Sequence, residues 1–250
     1  MSDNVEILTG EGVRRIRMVR PDKKNAITGA MYTAMAEALE TGETDDAVRA
    51  FVFLGVPGAF SAGNDIVDFV AMSAGGALGA PIIRFLKALA RATKPMVAGV
   101  DGLAIGIGTT LLLHCDLVYA SPGSILRTPF VDLGLVPENA SSLLAPRVMG
   151  HQRAFELLCL GAPFSAGKAQ AAGIVNEVVA AGEVEAKALA MAAALAGKPA
   201  EALAIARRLV NGAPDEVLAR IDEEADAFRD RLASPEARAA FAAFLGKSGR

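Results

Sequence analysis

The order in which strand-like and helix-like segments follow one another constrains this chain more than any other feature. A short, continuously apolar run at residues 50–54 is typical of a buried parallel strand, and the next strand is predicted at residues 95–100. Helical patterns at residues 29–40 and 82–91 accompany these strands. From residue 152 onward the pattern is helical and rich in alanine, with breaks at glycine and proline. Strands alternating with helices, followed by helices alone, predict an α/β fold with a parallel-sheet core and a C-terminal helical region.

The N-terminal segment predicts a β-hairpin and then a capped helix. Residues 5–19 read as two strands around a turn at residues 10–12. Thr28 can cap a helix that begins at Gly29, and the apolar side chains on one face of that helix are Met31, Met35 and Leu39. Loops are predicted at residues 55–65 and 73–81, which are rich in glycine, proline and alanine.

The composition limits the classes of protein to which the chain can belong. Its 250 residues are 52% hydrophobic and 21% charged, which allows a substantial core and argues against global disorder. The formal net charge is −3 without a block of Lys and Arg, so nucleic acid is not the expected partner. No apolar run reaches membrane-spanning length, and two cysteines cannot form a disulfide framework. The N-terminus lacks a signal-peptide core, so we expect a reduced, cytoplasmic protein without a membrane partner.

Two glycine-containing turns are candidates for binding a ligand. Residues 60–66 (FSAGNDI) and 102–108 (GLAIGIG) each follow a predicted strand and open a predicted helix. Free N–H groups at a helix start carry partial positive charge, so two such turns facing one cleft would form an oxyanion hole. The second turn has neither the dinucleotide-binding spacing nor the Gly-Lys-Ser/Thr of a Walker loop. Taken alone, an ordinary strand-to-helix turn explains the first segment, and close packing of a helix on a sheet explains the second.

Glu138 is the candidate for proton transfer. It follows Pro137 in a largely apolar stretch, where poor solvation of the anion should raise its pKa towards the useful range. The alternative interpretation is a surface glutamate that caps the following helix. His114 and His151 lack the spacing of a metal site or a catalytic triad, so we interpret both as structural and expect no metal.

Taken in order, these segments resemble the crotonase (enoyl-CoA hydratase/isomerase) superfamily, closest to the peroxisomal-type delta-3,delta-2-enoyl-CoA isomerase branch. The resemblance extends from residue 13 to about residue 244, and its matching stretches are residues 20–26, 60–66, 102–116, 128–150 and 164–179. It implies an α/β fold with a β-β-α spiral core and a coenzyme A cleft at residues 1–195. A C-terminal helical trimerisation region would then occupy residues 196–250, in a homotrimer or hexamer.

The resemblance also assigns roles to individual residues. The oxyanion-hole donors would be the backbone N–H groups of Asn64 and Ile107, although the Ile107 side chain, where glycine is usual, should narrow the cleft. The positions that line the coenzyme A pocket in the family are Lys24, Ala26, Ala62, Asp65 and Ile66. Thr110 and Phe130 stand where the hydratases carry two glutamates, and Glu138 matches the single catalytic glutamate of the isomerase branch.

These assignments imply an acyl-CoA enzyme that moves a double bond from the 3 to the 2-trans position. One base suffices for this reaction, and coenzyme A enters as part of the substrate, so no further cofactor is expected. Two alternatives stay open. The first is another reaction of an acyl-CoA, such as hydration by an unusual route, thioester hydrolysis or carbon–carbon cleavage. The second is a catalytically silent acyl-CoA-binding protein. We expect the loop at residues 73–80 to border the acyl pocket.

Overall fold

The structure, a computed structural model, describes residues 2–73 and 79–248. Most of the predicted loop at residues 73–81 lies outside these residues, so its place beside an acyl pocket stays a prediction. The described residues form a mixed α/β fold with largely parallel sheets and several C-terminal helices. This arrangement confirms the predicted fold class.

A six-stranded sheet forms the centre of the molecule. Its strands are β1 (Val5–Gly10), β2 (Val13–Met18), β3 (Ala50–Leu54), β5 (Met96–Val100), β7 (Leu117–Ala120) and β10 (Glu177–Val178), in the order β1-β2-β3-β5-β7-β10. β1 and β2 pair antiparallel as the predicted hairpin, and the remaining neighbours pair in parallel. All five residues of β3 are buried, as expected for a strand with both faces covered.

A second sheet is built from short strands, three of which each follow a strand of the first sheet. β4 (Ala59–Ser61), β6 (Leu103–Ile105) and β8 (Ile125–Arg127) pair in parallel, and β9 (Phe164–Ser165) pairs antiparallel with β8. The prediction of a loop at residues 55–65 is therefore wrong for β4, and that of a turn at residues 102–108 is wrong for β6. The prediction of helices alone after residue 152 is wrong for β9 and β10. Strands of two or three residues are too short to show an alternating pattern.

Helices pack on the larger sheet and form the C-terminal region. They are α1 (Gly29–Thr44), α2 (Ile66–Ser73), α3 (Ala80–Arg91), α4 (Ile107–Thr110), α5 (Ser141–Met149), α6 (His151–Leu158), α7 (Ala166–Ala171), α8 (Val184–Ala196), α9 (Ala200–Asn211), α10 (Asp215–Leu232) and α11 (Pro235–Ser248), with 3-10 turns at Pro21–Lys23, Leu111–His114 and Val131–Leu133. The Thr28 hydroxyl accepts from the Met31 N–H at 3.3 Å, which confirms the predicted cap of α1. Met31, Met35 and Leu39 are buried, as their shared face predicts.

The residues of β3 alternate between two apolar clusters, one on each side of the sheet. Phe51 and Phe53 point into the larger cluster, where the Phe53 ring lies 6.4 Å from the ring of Phe85 on α3. Val52 belongs to the smaller cluster with Ala188 of α8. This alternation follows from the period of two along a strand, and it fixes the side of the sheet on which α1 and α3 pack.

The C-terminal helices differ in how they relate to the rest of the chain. Phe228 of α10 and Phe241 of α11 pack against Phe69 of α2, with ring centroids 6.0 and 6.2 Å apart. In contrast, α9 has no buried residue, and its Leu209 and Val210 are 75% and 84% exposed. α10 and α11 therefore belong to the core of this chain, whereas α9 presents an apolar outer face.

None of the helices in residues 2–73 and 79–248 has, by itself, both the length and the apolar character needed to cross a membrane. The pair α8 and α9 together meets those two criteria but is bent by 111°.

Candidate active site

A cavity of about 440 Å³ lies between the two glycine-containing turns and the C-terminal helices. Residues 62–67 and 105–106 form one wall, and Phe130 contributes to another. Phe228 and Phe241 complete the lining from α10 and α11. Residues on both sides of the predicted boundary at 195/196 thus line one cavity, which is largely apolar with a few polar groups, as ligand pockets usually are.

The first turn leaves the N–H of Asn64 free. A single parallel bridge joins Ile27 to this turn. The Ile27 N–H donates to Gly63 O at 2.8 Å, and the Asp65 N–H donates to Ile27 O at 3.0 Å. Asn64 lies between these two bonds and its N–H donates to no group in the described residues. Asn64 also lines the cavity, so the predicted donor is in a position to meet a bound ligand.

A buried asparagine holds this turn in shape. Asn25 is fully buried, and its Nδ2 donates to the carbonyl oxygens of Ala59 at 2.8 Å and Phe60 at 3.2 Å. The Ser61 hydroxyl donates to Asn25 O at 2.9 Å and accepts from the Gly63 N–H at 3.1 Å. The chain of bonds fixes the path of the backbone just before Asn64.

The second turn leaves another N–H free, at the start of α4. Gly106 donates to Arg127 O at 2.8 Å, and its own carbonyl accepts from the N–H groups of Thr109 and Thr110. The N–H of Ile107 is the first of the helix and has no partner in the described residues. The Ile107 side chain is 1% exposed and packs in the apolar core instead of lining the cavity. The expectation that this side chain narrows the cleft is therefore wrong.

Glu138 is buried and paired with Thr110. Its side chain is 5% exposed, and its Oε1 accepts from the Thr110 hydroxyl at 2.6 Å. Burial raises the pKa of Glu138 to about 8, the Thr110 hydrogen bond opposes this rise, and the charge of Glu224 adds to it. α5 begins at Ser141 without a side-chain cap, so the interpretation of Glu138 as a surface capping residue is wrong.

Tyr32 holds the side chain of Asn64 in the first turn. Glu138 is not among the residues that line the cavity, whereas Asn64 is. The Tyr32 hydroxyl donates to Asn64 Oδ1 at 2.5 Å. Burial raises the pKa of Tyr32, and the charge of Glu138 raises it further, so Tyr32 is neutral at ordinary pH. The Glu138 carboxyl is placed instead by its bond to Thr110 of α4, the helix whose first N–H is that of Ile107.

The predicted coenzyme A positions fall into two groups. Ala26, Ala62, Asp65 and Ile66 line the cavity. Lys24 does not line the cavity, and its side chain is exposed. Its backbone carbonyl accepts from the Ala62 N–H at 2.9 Å. The neighbouring Lys23 lines the cavity instead.

Asp65 is a carboxylate on the cavity wall, but it is held as an anion. It pairs with Arg20 at 2.7 Å. Burial alone would raise its pKa, yet the Arg20 guanidinium and the N–H groups of Asp68 and Val67 lower the pKa below its ordinary value. Asp65 therefore holds the turn and is poorly suited to delivering a proton near neutral pH.

The structure adds residues that the sequence did not single out. Tyr32 lies in an ordinary amphipathic helix, and Glu224 lies in the charged stretch of residues 222–226, which is typical of a solvated face. Glu224 is nevertheless only 6% exposed. Phe228, one turn further along α10, has the helical spacing of a core residue, and its place in the cavity wall becomes visible only in the fold.

The described residues contain no group of His, Cys, Asp or Glu arranged to hold a metal ion. His114 is half-buried, its Nε2 donates to Asn139 O at 2.9 Å, and desolvation lowers its pKa to about 4. His114 is therefore neutral near pH 7 and acts as a structural donor, as the sequence suggested.

Comparison with known proteins identifies the family. A family model described as "Enoyl-CoA hydratase/isomerase" matches residues 9–249. The chain belongs to the enoyl-CoA hydratase/isomerase family. Its fold is shared by Pseudomonas aeruginosa OdaA, a solved structure with a TM-score of 0.91 and 41% sequence identity that covers 98% of this chain and 99% of that one.

Two curated relatives of this enoyl-CoA hydratase/isomerase family member are isomerases by name. "Enoyl-CoA delta isomerase 2" of Rattus norvegicus is 35% identical over 250 residues, which cover 98% of this chain and 64% of the rat protein. The chain thus spans less than two thirds of that relative's length. "1,2-epoxyphenylacetyl-CoA isomerase" of Escherichia coli (strain K12) is 33% identical over 95% of this chain and 93% of the relative. The resemblance drawn from the sequence is confirmed by these findings.

Proposed function

We propose that this crotonase-type acyl-CoA enzyme moves the double bond of a 3-enoyl-CoA to the 2-trans position. The Glu138 carboxylate removes a proton from the α carbon of the thioester, and the carboxylic acid so formed returns the proton at the γ carbon. The dienolate between the two steps accepts hydrogen bonds from the N–H groups of Asn64 and Ile107. The reaction neither adds nor removes atoms, so a single acid–base group completes it.

The state of Glu138 is the observation that carries this proposal. A general base works best when its pKa lies near the operating pH, and the pKa of Glu138 is raised to about 8. A buried carboxyl with one oxygen held by Thr110 has a defined orientation and one oxygen free to exchange a proton. Such a base contributes on the order of 100- to 10,000-fold to a rate.

The two free N–H groups support the same chemistry. The N–H groups of Asn64 and Ile107 have no partner in the described residues, although buried donors are normally paired. Donors held in place before the reaction stabilise a developing oxyanion without reorganisation, and losing one such donor typically costs ~3 kcal/mol of barrier.

Thr110 and Phe130, at the positions where the resemblance places the two glutamates of hydratases, favour isomerisation over hydration. Thr110 is fully buried and engaged with Glu138, and Phe130 lines the cavity with an apolar ring. Neither side chain is a base that could activate water at neutral pH. The alternatives to isomerisation are distinguished by the experiment below. They are hydration, thioester hydrolysis, carbon–carbon cleavage and binding without turnover.

We also propose that the protein assembles as a homotrimer or hexamer through its C-terminal region. α9 buries no residue within its own chain, and Ile205, Leu209 and Val210 form an exposed apolar face. An apolar helix face of this kind is stabilised by burial against another surface. Sedimentation analysis of Leu209→Glu should show smaller particles than the parent protein; an unchanged mass would contradict this assignment.

The test of the proposed reaction uses two substrates and one matched pair of variants. Purified protein is incubated with a 3-enoyl-CoA and, separately, with a 2-trans-enoyl-CoA, while absorbance follows conjugation and mass spectrometry follows addition of water. We expect conjugation of the first substrate without addition of water to the second. Glu138→Gln should bind the thioester and lose conjugation, whereas the exposed control Glu183→Gln should retain it; full turnover by Glu138→Gln would refute the proposal.

A further inference from the structure

Two charged side chains of α10 hold the first turn of α5, directly after Glu138. Glu224 Oε1 accepts from the Ser142 N–H at 2.9 Å, and Arg220 Nη1 donates to Ser142 Oγ at 3.0 Å. Arg220 and Glu224 are four residues apart and therefore share a face of α10. Because α5 has no side-chain cap next to it in sequence, Glu224 supplies an acceptor for its free N–H groups from a distant helix.

The loop that follows Glu138 is held in an unfavourable conformation. Asn139 and Ala140 have φ angles of 63° and 53°, in the left-handed region, which asparagine tolerates but alanine rarely adopts. Within the described residues, the buried side-chain nitrogen and oxygen atoms without a partner all belong to Asn139, Ser141 and Glu224. Such strain and such unpaired groups persist only where surrounding contacts impose them, and they concentrate at functional sites.

We infer that Glu224 is a positioning residue for Glu138. By anchoring the Ser142 N–H, its carboxylate fixes the loop that presents the Glu138 carboxyl, and its negative charge disfavours ionisation of that carboxyl. This inference deepens the proposed function and rests on it, because it presumes that Glu138 exchanges the proton. It also gives α10, in the C-terminal helical region, a part in the chemistry.

The charges around the loop support this role. Among the causes of the raised pKa of Glu138, burial comes first, and the charge of Glu224 acts in the same direction. Tyr32 from α1 and His114 from the 3-10 turn at Leu111–His114 face the same region, but both are neutral near pH 7. Arg220 is the cation on this face of α10, and it lies beside Ser142 and not on Glu138.

The pKa of Glu224 is raised, and its donors only partly offset the cost of burying the anion. Burial raises its pKa, while the N–H groups of Ser142 and Ala140 and the charge of Arg220 oppose that rise. The positive end of α5 acts in the same sense as these donors. Glu224 therefore has two functions: it accepts the hydrogen bond from the Ser142 N–H, and it carries a negative charge. A glutamine at this position would keep the first and lose the second, because its amide oxygen is an uncharged acceptor.

The test compares Glu224→Gln and Glu224→Ala with the exposed control Asp226→Asn, which removes the same charge from α10. The ionisation of Glu138 is followed by NMR of protein labelled with ¹³C at the glutamate carboxyl carbons, with Glu138→Gln giving the assignment. Rates of 3-enoyl-CoA conjugation are measured across pH, and thermal unfolding confirms that each variant is folded.

We expect Glu224→Gln to lower the pKa of Glu138 by on the order of half a unit or more and to move the acid limb of the rate profile by the same amount. Glu224→Ala should reduce kcat roughly 10- to 100-fold with little change in KM, because the loop loses its anchor. Asp226→Asn should match the parent protein in both. An unchanged titration in Glu224→Gln overturns the electrostatic part of the inference, and parental kcat in a folded Glu224→Ala overturns the positioning part.

The titration separates failure of this inference from failure of the proposed function. If the parent protein conjugates no 3-enoyl-CoA, the proposed reaction is wrong, yet the NMR titration still shows whether Glu224 controls the ionisation of Glu138. If the parent is active and the Glu138 titration does not respond, the inference alone is wrong.

Discussion

The hydroxyl of Thr110 donates a 2.6 Å hydrogen bond to Oε1 of Glu138, although the two residues are 28 positions apart in the chain. By the resemblance drawn from the sequence, Thr110 stands where hydratases of the family carry a glutamate. In this protein, the residue at that position is not a carboxylic acid, and its hydroxyl instead holds the carboxyl of Glu138. The bond occupies one oxygen of Glu138, so the other oxygen is the one available for proton exchange.

Replacing Thr110 by valine should weaken the base. The hydroxyl lowers the pKa of Glu138, so its loss raises that pKa further and leaves less carboxylate at pH 7. We expect conjugation of a 3-enoyl-CoA at pH 7 to fall about 3- to 10-fold, in line with a hydrogen bond of ~1 kcal/mol. Thr110→Ser, which keeps the hydroxyl, is the control. A pH–rate profile of Thr110→Val that coincides with the parent profile would show that the bond is irrelevant to turnover.

Tyr32→Phe should disturb the first turn without removing a catalytic group. The Tyr32 hydroxyl donates to Asn64 Oδ1, and its loss releases the side chain of the residue that we propose as an oxyanion donor. We expect kcat/KM to fall about 3- to 10-fold, the scale of a hydrogen bond of ~1 kcal/mol. Tyr119→Phe alters the other tyrosine of the chain, which lies in the smaller apolar cluster, and should leave kcat/KM unchanged. Equal effects of the two substitutions would argue against a specific role for Tyr32.

Gly63→Ala should be more harmful than Gly58→Ala. Both glycines have positive φ angles, +88° and +81°, so alanine is strained at either position. At Gly63 the added Cβ would also lie 3.0 Å from Ile105 O, whereas at Gly58 nothing lies within 4 Å. We expect both variants to lose ~1 kcal/mol of stability, and Gly63→Ala alone to lose most of its activity, because its Cβ pushes the two turns apart. Thermal unfolding and conjugation assays of both variants separate the two effects.

Glu138 should make the protein less stable as the pH rises. Its pKa is about 8 in the fold against an ordinary value of 4.5, so between these values the folded state binds more protons than the unfolded state. The free energy of unfolding then decreases with increasing pH across this window. Glu138→Gln should therefore be more stable than the parent by ~1–3 kcal/mol at pH 8, with little difference at pH 4.

Denaturant titrations of the parent and Glu138→Gln at both pH values measure this difference. The opposite contribution of His114, whose pKa is lowered to about 4, is common to both proteins and cancels. A stability difference that does not grow between pH 4 and pH 8 would mean that Glu138 ionises freely in the folded protein.

Turnover should not depend on a metal ion or on any added cofactor. In the proposed reaction the charge of the dienolate is stabilised by the N–H groups of Asn64 and Ile107, and the proton moves on Glu138. We expect dialysed protein to convert a 3-enoyl-CoA at the same rate with and without EDTA. Loss of activity that a divalent cation restores would require a different source of oxyanion stabilisation.

The elements of the fold that depend on local sequence could be predicted from the sequence. The Thr28 cap, the apolar face of α1 and the fully buried strand at Ala50–Leu54 each depend on neighbouring residues, and the structure confirms all three. The short strands β4 and β6 have no such signal, because three residues cannot display a period. They form only when parallel neighbours complete their hydrogen bonds.

By itself, the sequence determined the α/β class, the family resemblance and the singling out of Glu138, because spacing, glycine positions and apolar runs are local properties of a chain. Only the tertiary structure decided the environment of that carboxyl. Thr110, Tyr32 and Glu224 come from three helices that are distant in sequence, and a pKa depends on burial and on charges nearby in space. Glu224 looks like one more solvated charge in its own helix, and its meaning appears only when α10 packs against α5.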